Sequence, residues 1–230
     1  LATLSRSYQR GIDDLDYEVI VVENGSAPDQ KAGEDLVRSF GPEFRYLDLG
    51  DEAQPSPAHA LNRGMAVAGG RNICFMIDGA HVLTPGVLRY GMAGLRTYEP
   101  AVVGTQLWYV GPGQQGDAML DGYDQDFEDR LFDEVSWPVD GYRLFDIGHF
   151  VGDRDWFDGL WESNCFFVPR ELAAQIGGFD ETFSVAGGGY TNLDLYERFT
   201  ATPGVSVATI LGEGSFHQIH GGTTTNQASI

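Results

Sequence analysis

Lysine is nearly missing from this sequence. Among 230 residues only Lys31 is a lysine, and 14 basic residues stand against 34 acidic ones, a formal net charge of −20. A surface of that sign repels phosphate backbones and anionic headgroups, so nucleic acid and acidic membranes are poor partners. Divalent cations and neutral polar ligands such as sugars are compatible with it. An anionic substrate would need local arginines or a bound metal. Cysteine is scarce too. Cys74 and Cys165 lie in separate apolar runs, ICFMI and CFFV, without Cys-x-x-Cys spacing, which argues against a structural zinc site. Two distant buried thiols in a reducing, cytoplasmic setting are expected, with a disulfide left open. No apolar run approaches the ~18 to 20 residues of a membrane helix. The opening LATLSRSYQRG has no signal-peptide core, and no internal repeat is evident.

What is present is an alternation of strands and helices. The length suits one large α/β domain or two small ones. Leu1 to Gln9 reads as a short helix and Tyr17 to Val22, YEVIVV, as a buried strand. Ser26 and Asp29 have capping-box spacing, and Pro28 fits an early helix position. Phe44 to Leu49 is a strand. Ser56 and Pro57 open a helix with Leu61, Gly64, Met65 and Ala68 on one face. Ile73 to Ile77 is an unbroken apolar run ending in Asp78, Gly79, Ala80 and His81, after which Thr84 and Pro85 start a helix. Ala101 to Val110 is strand again. Residues 163–211 add a strand at Asn164 to Val168, a helix from Pro169 to Ile176 closed by Gly177-Gly178, a helix capped by Asn192, and a strand at Val205 to Leu211. Short connections between such elements predict an α/β fold with a mostly parallel, twisted sheet flanked by helices.

Between these halves, residues 117–162 hold fourteen acids, three arginines and ten aromatics. The expected division is therefore 1–110, an acidic, aromatic-rich insertion at 111–162, and 163–230. Aromatics beside carboxylates suit sugar rings and hydroxyls; they equally suit a small core of the insertion's own. In open α/β sheets ligands bind at the carboxyl ends of strands. That makes Asp78 and His81, with Gly79 between them, candidates for a metal or phosphate site, the other reading being an ordinary turn.

Taken in order, VVENGS, a helix with Asn62-Arg63-Gly64, a strand ending in Asp78, the run GGFDETF, Asp194-Leu195 with Arg198, and a late histidine resemble the nucleotide-sugar glycosyltransferases of the GT-A fold, family 2 (inverting) type. The resemblance implies a metal-dependent transfer of a sugar from a nucleotide-diphosphate donor to a hydroxyl of a glycan, lipid or small-molecule acceptor. It implies a nucleotide-sugar site at Glu23, Asn24, Gly25, Ser26, Asn62, Arg71, Asp78 and Gly79. Asp78 matches the first acid of the family's Asp-x-Asp metal motif, and Ala80 stands where the second would be. The implied ligands for Mn²⁺ or Mg²⁺ are then Asp78 with His81, His217 or His220. The family's usual acidic pair is Thr191-Asn192 here, so the general base is assigned to Asp194 or Glu162, with Asp180 as a further candidate. The family's first strand would precede Leu1, and the chain reads as a fragment or trimmed form, or as a lineage that rebuilt that edge. A GT-A-like module that binds a nucleotide sugar or glycan for a partner domain is the alternative.

Overall fold

The computed structural model describes residues 1–77, 79–151, 160 and 163–220. Asp78 and Glu162, both expected site residues, lie outside them. Eight strands and eight α-helices follow one another among the described residues. β1 (Val19–Glu23), α1 (Glu34–Ser39) and β2 (Phe44–Asp48) come first, then α2 (Pro57–Val67). β3 (Asn72–Met76), β4 (His81–Leu83), α3 (Val87–Thr97) and β5 (Ala101–Val110) follow. The middle of the chain supplies α4 (Gln115–Leu120), α5 (Gln125–Glu134), α6 (Leu144–Ile147) and β6 (Gly148–Phe150). β7 (Cys165–Pro169), α7 (Arg170–Ile176), α8 (Thr191–Thr200) and β8 (Ser206–His217) end it.

β1 and β2 form a parallel two-stranded sheet. The other strands form a second sheet in the order β3-β7-β5-β8-β4, with β6 added to β5. The α/β class with helices packed on a central sheet is as expected. The mostly parallel pairing is not: β1–β2 and β5–β8 are parallel, and the other four pairings are antiparallel. The reason is local. β7 follows the middle segment of the chain, α4 to β6, rather than a single crossover helix, so nothing forces it parallel to β3 and β5.

The apolar strands are continuous because both faces are covered. Along CFFV, Phe166 and Val168 enter a cluster with Leu195, Tyr196 and Phe199 of α8. Cys165 and Phe167 point the other way, onto Leu88 and Leu95 of α3. β3 divides likewise, Ile73 and Phe75 on the α8 side and Cys74 and Met76 on the α3 side. This brings the two thiols together, Sγ to Sγ 3.6 Å, where sequence distance suggested separation; both are free. A third cluster joins Val135, Leu144 and Ile147 of the middle segment to Val82, Val110 and Phe216. Trp108 stacks on Phe216 and meets Phe145 edge-on, and Phe132 packs on Trp137. These described aromatics build a core.

Several expected helix starts move. Leu1 to Gln9 forms only a 3-10 turn at Ala2–Leu4. The Ser26–Asp29 box does not open a helix; α1 begins at Glu34 after Gly33, whose φ of 72° breaks the chain direction there. Thr84 caps nothing, because its hydroxyl donates to buried Glu213, and α3 starts at Val87. Asn192 sits inside α8 rather than at its cap. Gly177, by contrast, ends α7 in the left-handed conformation (φ 89°) as its position suggested. Among the described residues no helix is long and apolar enough to cross a membrane.

α3 lies so close to β7 that a Cβ on Gly91 would come within 2.4 Å of the Phe167 ring. That ring is 2% exposed and has nowhere to go. Gly91→Ala should therefore destabilise by about 1–3 kcal/mol through overpacking, despite the helix propensity alanine adds. Gly113→Ala, which meets nothing within 4 Å, should stay within about 0.5 kcal/mol. Equilibrium urea unfolding of both variants checks the pair.

Candidate functional site

Polar groups gather along the carboxyl ends of β1 and β3 and the segments facing them. At the end of β1 the Glu23 carboxylate accepts from the Ser26 backbone N–H at 2.5 Å. Asn24 donates to the carbonyls of Gln54 and Ser56 and accepts from Gln54 N–H, pinning the turn to the start of α2. Gly25 has φ 83°, and a Cβ there would touch that of Ala53 at 3.0 Å, so the turn needs glycine. Ser56 caps α2 by accepting from Ala58 N–H. The ring of Pro57 then abuts Gly188, which is bonded to Thr191 at the start of α8. One residue on, Asn192 donates to Asn164 Oδ1 at 2.8 Å. The Asn164 carbonyl accepts from Ile77 N–H, immediately before Asp78. Beyond Asp78 in the sequence, Ala80 accepts from Gln218 N–H at 2.7 Å. Among the described residues, contacts thus lead from Asn24 to the start of α2, from Asn192 through Asn164 to Ile77, and from Ala80 to Gln218.

Of the two late histidines, His217 lies in a strand and His220 three residues beyond it. β8 continues through His217, where the sequence suggested a strand ending at Leu211, and His217 is paired in register with His81 of β4. The two rings meet edge to face, centroids 4.9 Å apart, both nearly fully buried. His81 Nδ1 bonds to Ser215 Oγ at 2.8 Å. His217 is oriented by Gln115. The Gln115 amide nitrogen donates to the His217 carbonyl at 2.9 Å, so its oxygen must accept from His217 Nδ1–H at 2.8 Å. That fixes the tautomer and puts the Nε2 lone pair opposite His220 Nε2, 3.1 Å away. Beneath the tail, buried Glu128 accepts from Tyr123 O–H at 2.7 Å and Ile219 N–H at 2.8 Å. Burial pushes its carboxyl pKa up.

The donor chemistry can be set against a metal directly. Two imidazole nitrogens converge at His217 and His220, with His81 packed on the first. Among the described residues no group of three or more His, Cys, Asp or Glu is placed to hold an ion. The remaining expected ligand, Asp78, lies outside them.

Other expected site residues have different work. Asn62 donates to the Phe179 carbonyl and to Glu181, and accepts from Phe179 N–H. Its amide is a latch between α2 and the segment after α7. Arg71 stands before β3, at the end opposite Asp78, and pairs with Glu99 on an exposed surface. Five strand residues at ~3.3 Å each separate it from Ile77 at the carboxyl end of β3. Asp194 bonds Arg198 through Nε and Nη2 at 2.9 and 2.6 Å, and Arg198 donates on to the carbonyls of Ile176 and Gly178. Asp180 accepts from Thr182 N–H and fixes a turn. Gly79 is exposed with open space above it. Asn164 and Gln115 were not singled out by sequence reasoning. Asn164 had a signal, a polar amide at the entry to an apolar strand. Gln115 had none, because its partner is 102 residues away.

No family model and no curated protein matches the sequence. The fold has solved counterparts. A structure of GalNAc-T7 with UDP, GalNAc and Mn²⁺ superposes with a TM-score of 0.56 at 12% identity, over 93% of this chain and 39% of that one. S. aureus TarS, residues 1–349 with UDP, gives 0.51 at 14% identity, over 88% of this chain and 51% of that one. The chain thus spans from about two fifths to one half of the length of these structures. At such identities the likeness is one of fold, and the fold is that of the GT-A glycosyltransferases.

Proposed function

We propose that this chain is the GT-A unit of a family 2-type glycosyltransferase that moves a sugar, with inversion, from a nucleoside-diphosphate donor to an acceptor hydroxyl. The observation that carries the reading is the set of polar groups at Asn24, at Asn192 with Asn164, and at His217 with His220. It occupies the strand ends where such sheets bind ligands, in a fold whose solved likenesses hold UDP. Glu23, with one carboxylate oxygen held by Ser26 N–H, offers the other to a base N–H. Asp78 and Gly79 would meet the diphosphate, and the open space at Gly79 lets it come close to the backbone.

A divalent ion fits the donor set in part. His217 Nε2, His220 Nε2 and the Asp78 carboxylate would hold it, a nitrogen-rich set that favours Mn²⁺ or another transition ion over Mg²⁺. Bound there, it would neutralise charge building on the departing diphosphate. The attacking hydroxyl must lose its proton to a base. Asp194 is bound to Arg198, and Asn192 has no basic oxygen, so we assign the base to Glu162.

The same two observations favour a second reading, a module that binds the donor without turning it over. Mixing the protein with UDP-, GDP- and dTDP-sugars and Mn²⁺ separates the two. Transferase action releases nucleoside diphosphate; a binding module shows only a raised Tm. Asp78→Asn and His220→Ala should each abolish the Mn²⁺-dependent part of the nucleotide-induced Tm rise, and an unchanged rise would remove that residue from the site.

The Asp194–Arg198 pair makes a separate forecast. Arg198→Ala leaves the Ile176 and Gly178 carbonyls without their donor and should cost about 1–3 kcal/mol. Asp194→Asn, at a half-exposed ion pair, should cost about 0.5–1 kcal/mol and leave donor binding intact. Were Asp194 the base, its asparagine variant would also lose turnover, which the structural role alone would spare.

A further inference from the structure

Glu128 is a buried carboxylate whose hydrogen bonds do not explain its charge. It is the buried residue of α5, with no exposed surface. Tyr123 O–H and Ile219 N–H both donate to the same oxygen, Oε2. Those donors ask for an acceptor only, and an amide oxygen in that place would serve both without burying a charge. Buried Glu213 differs, with three donors spread over its two oxygens. Among the described residues no lysine or arginine pairs with Glu128. Its electrostatic neighbour is the His217 imidazole.

The position of Glu128 suggests what the charge is for. Ile219, whose N–H it holds, lies between His217 and His220 in the chain. Gln115 of α4 orients the same end of β8 through the His217 carbonyl and Nδ1. The two Nε2 atoms stand 3.1 Å apart. They offer lone pairs to a cation but bring no negative charge. Ala80 stands where the resemblance puts a carboxylate. The other acids of α5 do not fill that gap, since Asp126, Asp129 and Asp133 are exposed and screened by solvent. Glu128 is shielded from water, so its charge acts at short range with little loss.

We propose that Glu128 is a positioning residue for a divalent cation at His217 and His220, supplying from beneath them the negative charge that Ala80 does not bring. This rests on the reading of those histidines as metal ligands. Glu128 does not touch the ion. It holds the backbone between the two ligands and favours a positive charge at their nitrogens, as a carboxylate outside the ligand set does in other metal sites. A buried carboxylate is costly alone; opposite a bound cation it has its partner. The acidic middle segment then forms part of the metal centre, Gln115 orienting one ligand and Glu128 balancing the charge.

The test uses the full 230-residue chain and Mn²⁺ alone, titrated through the paramagnetic resonance signal of the free ion. Glu128→Gln keeps an acceptor for Tyr123 and Ile219 and removes the charge. It should weaken Mn²⁺ binding about 10–100-fold, with the metal-free Tm unchanged or raised. Tyr123→Phe removes a hydrogen bond and keeps the charge, so its Mn²⁺ affinity should stay within about threefold of the parent. Ala80→Asp returns a carboxylate to the motif. It should recover about tenfold in the Glu128→Gln background and about threefold or less in the parent. Unchanged Mn²⁺ affinity in Glu128→Gln would overturn the inference and leave the metal reading standing. So would equal gains from Ala80→Asp in both backgrounds, or a loss in Tyr123→Phe as large as in Glu128→Gln, since each marks a structural clasp. A parent chain that binds no Mn²⁺ would overturn the metal reading and this inference with it.

Discussion

The buried carboxylate of Glu213 holds the candidate site in register. β5 and β8 run parallel, and their pairing slips between Thr105 and Gln106, where the partner jumps from Ile210 to Gly214. The residues left over form a bulge, and the last of them, Glu213, is only 2% exposed. It accepts from the Thr84 hydroxyl at 2.5 Å, Gly86 N–H at 3.0 Å and the Tyr142 hydroxyl at 2.9 Å. A buried carboxylate is tolerated only when its oxygens are this well supplied. Desolvation and the Glu213 charge together push the Tyr142 pKa up to about 12. The consequence is geometric. With the bulge absorbed at Glu213, β8 resumes its ladder, and His217 falls opposite His81. A one-residue slip would turn His217 to the other face of the sheet.

That dependence explains which parts of the fold were legible in the sequence. Strands buried on both faces announce themselves, as CFFV and NICFM do, because only a doubly covered strand tolerates unbroken apolar runs. The end of α7 at Gly177 was equally plain, since the left-handed residue there favours glycine. What could not be read was anything settled by a distant partner. Thr84 looks like a helix cap until Glu213, 129 residues away, takes its hydroxyl. Asn192 looks like a cap until Asn164 takes its amide. The stretch after Leu211 looks like a glycine-rich tail, yet it is strand, because β4 and β5 pair with it from both sides.

The site residues divide along the same line. His81 was singled out because it follows an apolar run that ends in Asp78, whereas Glu23, His217 and His220 were chosen through the family resemblance. Asn62 and Asp194 were chosen because their motif neighbours matched a family. In the fold both belong to one structural joint: Asn62 holds Phe179 and Glu181, while Asp194 steadies the arginine that holds Gly178. A Cβ on Gly178 would strike Asn62 Oδ1 at 2.5 Å. The Gly-Gly-Phe-Asp-Glu run is therefore intelligible as packing. Glycine allows the approach, and Phe179 fills the core against Phe75, ring centroids 5.2 Å apart. Glu181, its carboxyl held below the usual range by hydrogen bonds from Asn62 and His59, closes the joint.

This joint bears on catalysis through what it leaves over. An inverting transfer asks for three things at the strand ends: donors for the diphosphate, a place for the base of the nucleotide, and one basic oxygen on the acceptor side. The first two have candidates whose positions follow from backbone pairing, the His217–His220 pair and the Glu23 turn. For the third, the carboxylate nearest the motif, Asp194, is bound to Arg198, and Asn192, two residues earlier, is an amide that is itself bonded to Asn164. An amide there can orient a hydroxyl and cannot take its proton. In the middle segment, Glu128 is buried under the tail and accepts from Tyr123 and Ile219. The base proposed above belongs to the sequence that leads into β7. Glu162 stands there, two residues before the Asn164 whose carbonyl holds Ile77.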